Sequence, residues 1–176
     1  MLSDPVVQSG LLSYLEKIPP THEQYFGFSE RIEFQKTTFG RPLQLYCINY
    51  DSLDYASNAI RKLDIWYIPV VVDDCNRCFL YVQELESSLF RVVGIGSNEI
   101  ANDINNYEKS YSKNGLINEA MVIDEGLNLL FMVTENEKFY ALRPGNSCSS
   151  CEFDELEGIT KKDFLAFIKF NYQNER

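Results

Sequence analysis

Histidine is nearly missing from this chain: His22 is the only one in 176 residues. Any histidine-dependent triad would rest on that ring, which follows Pro19-Pro20 between Thr21 and Glu23 and reads as a solvated loop residue. A Cys-His pair such as Cys47 with His22 carries no local signature, so no catalytic residue is assigned. Long apolar runs are absent too. The longest, such as 68–72 and 129–133, have strand length, far short of the roughly 18 residues of a membrane span. The opening Met-Leu-Ser-Asp-Pro has no basic region before an apolar stretch, and so does not read as a secretory signal. Nor is there a phosphate-cradling Gly-Lys-Ser/Thr stretch. Gly94-Ile-Gly96 lacks a third glycine, and the position where it would fall is Glu99, whose charge repels phosphate at a helix start. No cofactor-binding residue is expected there, and the acids are not spaced as a calcium loop.

Basic residues are also scarce. Sixteen Lys and Arg face 26 Asp and Glu, a formal charge of −10 with a pI near 4.6. A field of that sign repels nucleic-acid phosphates and anionic membranes and attracts basic proteins, so the expected partner is another protein of basic character. The cysteine count, five, is odd for a disulfide framework, which fits a reducing, cytoplasmic setting.

What the chain has in quantity is core material: 45% hydrophobic residues, with twelve Phe and eleven Tyr. The length and composition predict one domain over 1–176, of the α+β class: a largely antiparallel sheet flanked by about four helices. Helical spacing predicts helices over 6–17, 53–63, 98–111 and 161–170, the last begun by Thr160 and Asp163 in capping-box spacing. Strands are expected over 31–38, 42–50, 65–72, 79–85 and 89–93, then a meander of 120–123, 127–133 and 138–142. Strand-strand-strand-helix thus occurs twice, which suggests an internal duplication. The expected core includes Leu45, Ile60, Trp66, Val71, Tyr81, Val92, Ile104, Phe131, Tyr140, Leu165 and Ile168.

Two Cys-x-x-Cys pairs hold the most distinctive chemistry. Cys75 and Cys78 fall on a predicted hairpin tip at 73–78, and Cys148 and Cys151 on a loop over 143–158. Four thiolates suit a tetrahedral zinc ion, so these residues are the candidate ligands of a structural zinc. Against this, 69 residues separate the pairs, where a compact zinc ribbon has about 15–20. Neither pair opens a helix, as a redox Cys-x-x-Cys would. Beside the second pair, Glu152, Asp154, Glu155 and Glu157 form an acidic cluster, the candidate binding patch for a basic partner.

The run Asp64-Ile-Trp-Tyr-Ile-Pro-Val-Val-Val-Asp73, followed by Leu80-Tyr-Val82, resembles the superfamily of cell-wall-assembly regulators and bacterial immunity proteins. The likeness covers about twenty residues, and the superfamily's glycine-rich hairpin tip is replaced here by Asp-Asp-Cys-Asn-Arg-Cys. It implies an antiparallel sheet with flanking helices and carries over no residue roles. Acidity, a single core and the lack of a catalytic set together favour a non-enzymatic binding protein, of inhibitor or immunity type. The alternative is a zinc-stabilised or thiol-dependent protein.

Overall fold

The computed structural model describes residues 5–53, 58–86, 89–111, 118–124, 129–134, 136–143 and 158–174. The protein is α+β. Among the described residues nine strands form one mostly antiparallel sheet in the order β5-β4-β3-β2-β6-β7-β8-β9, with β1 pairing β3 off that path. The strands are β1 (Thr38–Phe39), β2 (Leu43–Ile48), β3 (Ile60–Val72), β4 (Cys75–Glu86), β5 (Leu89–Gly96), β6 (Asn118–Asp124), β7 (Leu129–Thr134), β8 (Lys138–Arg143) and β9 (Ile159–Thr160). Three α-helices flank them among the described residues: α1 (Pro5–Lys17), α2 (Asn98–Tyr111) and α3 (Lys161–Asn174). The chain gathers into two compact units, one of 1–43 with 64–110 and one of 44–63 with 111–176.

In the first unit α1 buries Val7, Leu11 and Leu15, one stripe at four-residue spacing. The stripe meets Ile68, Val70 and Val72 of β3 and Cys78, Leu80 and Val82 of β4, alternate residues that share one sheet face. Gly10 lies where the helix crosses β5 so closely that a Cβ would run into Val92. A mid-helix glycine that weakens the helix as a local segment is thus what lets it pack. The β3–β4 hairpin turns on Asp73 and Asp74 alone, with φ of 49° and 57°. Positive φ at both central residues is the type I′ geometry, whose twist matches that of the flanking strands.

The second unit is built on the β6–β7–β8 meander, with β2 pairing parallel to β6 over Gln44↔Ala120 to Cys47↔Ile123. Phe164 of α3 stacks on Phe139 at 4.4 Å between ring centroids and meets Phe131 edge-on at 4.8 Å. Val122, Leu165 and Ile168 complete this core. On the opposite face of the strands Met121 and Met132 are also fully buried, which is why β6 and β7 read as near-continuous apolar runs.

Three local expectations are corrected. Residues 31–36 form a 3-10 turn instead of a strand, and only Thr38 and Phe39 pair with β3. Side-chain bonds hold that turn: the Glu33 carboxylate accepts from Ser29 N–H at 2.7 Å and from Arg77 Nη2 at 2.6 Å. Of the helix expected over 53–63, residues 60–63 instead open β3, while 54–57 lie outside the described residues. Bonds from β2 and the residue that follows it capture that stretch, Gln44 Nε2 to Leu63 O at 2.6 Å and Asn49 N–H to Ala59 O at 2.8 Å. Tertiary pairing overrides a helical stripe there. Finally, Val71 is only half-buried and lies on the opposite side of β3 from Val70 and Val72, which carry the core. Ile60, Trp66, Tyr81 and Val92 are likewise half-buried, whereas Leu45, Ile104, Phe131, Tyr140, Leu165 and Ile168 are buried as expected.

Candidate functional site

Of the four cysteines proposed as zinc ligands, Cys75 and Cys78 lie among the described residues. Cys75 and Cys78 are not on a hairpin tip but within β4, paired with Val72 and Val70. Cys75 is half-buried, while Cys78 is fully buried in the core beneath α1. Burial pushes the Cys78 thiol up to about 12, so it is a neutral thiol unless a cation holds it ionised. Among the described residues no three His, Cys, Asp or Glu side chains gather to hold a metal. Cys148 and Cys151 lie outside the described residues, as do Glu152, Asp154, Glu155 and Glu157. His22 is exposed and its ring lies 5.4 Å from that of Tyr25, while Cys47 is half-buried in β2.

Two polar clusters link elements of the first unit. At the start of β4 the Asn76 N–H and Nδ2 both donate to Asn105 Oδ1 at 2.9 Å, and Asn105 Nδ2 donates back to Asn76 O at 2.8 Å. Asn76 Nδ2 also reaches Glu108 Oε2 at 3.4 Å, and burial raises the Glu108 carboxyl above its ordinary value while that bond opposes it. This reciprocal amide pair clamps α2 to the hairpin. Further along, the Tyr81 and Ser97 hydroxyls lie 2.6 Å apart where β5 passes into α2. Gly94 and Gly96 leave room for Tyr81, since a Cβ on Gly94 would meet ring Cδ2 and one on Gly96 the hydroxyl, each at 3.0 Å. The glycine pair thus accommodates a tyrosine. Burial also raises the Tyr81 phenol, which makes it a neutral strut.

The feature that packing does not account for is the outward face of β4 and β5. Alternation along β5 sends Phe90 and Val92 toward the α1 core and leaves Leu89, Arg91 and Val93 exposed. Leu89 is 60% exposed, Val93 41% and, on the neighbouring β4, Leu85 49%. Both Leu85 and Val93 sit at breaks in the β4–β5 register, where a bulge re-aims a side chain. On the same face Arg91 Nη2 donates to Gln83 Oε1 at 2.6 Å, and the Tyr67 and Tyr81 rings lie 4.7 Å apart. Apolar side chains in water around one charged anchor and an aromatic pair form the composition of an interaction surface. The alternation of 89–93 is visible in the sequence, but which side α1 covers is not, so these residues escaped a reading by motif.

No protein-family model matches the sequence, and no curated protein or solved structure matches it significantly.

Proposed function

We propose that this chain is a non-enzymatic binding protein that captures, and thereby inhibits, a basic protein partner through the outward face of β4 and β5. The exposure of Leu85, Leu89 and Val93 together on a strand pair whose other face is packed carries the reading. The field around that face supports it. The first unit carries thirteen Asp and Glu against seven Lys and Arg, and Glu152, Asp154, Glu155 and Glu157 add to the negative charge of the whole. Long-range attraction then speeds encounter, while desolvation of the apolar face slows dissociation.

The test separates these two contributions on a partner captured from host cells. Replacing Leu89 and Val93 together by Asn leaves the charge unchanged and should weaken binding about tenfold or more through faster dissociation, as loss of central apolar contacts does. Association of the intact protein should slow as salt rises. Dissociation unaffected by the double substitution rejects this face, and turnover of a substrate by the purified protein rejects the non-enzymatic reading.

A further inference from the structure

We infer that the partner binds by adding an extended, basic segment as a new strand alongside β5. This rests on the proposed function and concerns the mode of docking. β5 ends the strand order, and among the described residues it pairs with β4 on one side and with no strand on the other. An edge strand keeps a row of N–H and C=O groups on its free side, each able to template a further strand.

Edges that are not meant to pair are usually short, carry Lys or Pro, or are hidden by a helix. β5 is eight residues long with no Pro or Lys, and its stretch Leu89-Phe-Arg-Val-Val93 holds one charge among β-favouring side chains. α1 packs on its face, where Gly10 meets Val92 and Phe90 and Ile95 join the core. Arg91 and two register breaks, one at Val93 and one between Leu89 and Phe90, interrupt it, which leaves Phe90 to Val92 as the regular pairing stretch.

Charge selects the occupant. A second copy would bring two chains of −10 together. An antiparallel β5–β5 pair centred on Arg91 would also set Arg against Arg, and like charges directly opposite each other are destabilising. A basic segment is drawn by the net charge and avoids the second penalty in the register that sets an apolar residue opposite Arg91. Its alternate side chains would lie beside Leu89 and Val93 on the outward face, so apolar residues alternating with Lys or Arg suit the site.

The probe is a ten-residue peptide of alternating Val and Lys with blocked ends. Its controls are the same peptide N-methylated at alternate backbone amides and a Val/Glu peptide. At a concentration about ten times its Kd, the Val/Lys peptide should slow hydrogen exchange of the free-edge amides within Leu89–Val93 about tenfold. The N-methylated peptides should fail in at least one of the two methylation registers, and the Val/Glu peptide should not bind. Binding that survives N-methylation in both registers, or leaves β5 exchange unchanged, overturns strand addition but keeps the side-chain face. Failure of the Val/Lys peptide to bind also overturns it, while the Leu89/Val93 substitutions test the binding function independently. Reversible dimerisation with β5 protected and no peptide present would assign the edge to a second copy and overturn the inference as well.

Discussion

Cys78 shows how far a single residue's chemistry depends on its neighbours. As half of a Cys-x-x-Cys pair it is a zinc ligand by spacing; inside the α1 core it is a small apolar group with a thiol held neutral. Alkylation of the native protein followed by peptide mapping should leave Cys78 unmodified while half-buried Cys47 and Cys75 react, with Cys78 labelled only in denaturant. Native labelling of Cys78 would contradict its place in the core, and protection that vanished on adding a chelator would assign it to a bound metal. Glu108 is the other residue whose environment has a measurable consequence. Burial raises its carboxyl above the ordinary 4.5, so the folded state holds its proton to higher pH than the unfolded chain does. Folding is then opposed as pH rises through that range, and the penalty persists at neutral pH. Glu108→Gln should melt higher than the parent at neutral pH and match it below about pH 4, where both carboxyls are protonated. Equal melting at both pH values would show that Glu108 is solvated in the folded protein.

Helix starts and hairpins are the elements that local sequence describes best. Asp163 N–H donates to Thr160 Oγ1 at 3.3 Å, and the Thr160 hydroxyl lies 2.6 Å from Asp163 Oδ2, so the capping spacing becomes a real cap on α3. Thr160→Ala should cost about 1 kcal/mol in denaturant unfolding, and Thr160→Ser should restore most of it. A loss as large from the Ser variant would mean that the threonine methyl, and not the hydroxyl, matters. α1 and α2 follow their apolar stripes, and both stripes are buried: Val7, Leu11 and Leu15 in α1, and Ala101, Ile104 and Tyr107 in α2. The stripe over 53–63 has a different fate: its C-terminal part lengthens β3, where Gln44 and Asn49 of the β2 region bond its backbone. The same competition decides 31–36, where Glu33 bonds Ser29 and Arg77 in preference to a strand ladder. In both cases partners far along the chain outweigh a weak local preference.

At the scale of the molecule, charge and sheet order act together. No helix among the described residues is long and apolar enough to cross a membrane. An excess of ten negative charges favours basic partners over copies of the same chain. Among the described residues strand order then puts β5 at an end of the sheet, so a β-favouring stretch with Leu89, Arg91 and Val93 exposed has a strand on one side only. The α+β class, the negative field, the α3 cap and most strand positions could be read from the amino acids alone, because periodicity, capping and net charge are local or additive. The candidate site could not. That Leu89 and Val93 face water while Phe90 and Val92 face a helix depends on where α1 packs. That β5 is an edge depends on pairings between distant strands, such as β2 with β6. Contacts between residues far apart in the chain decide both, and no local pattern encodes them.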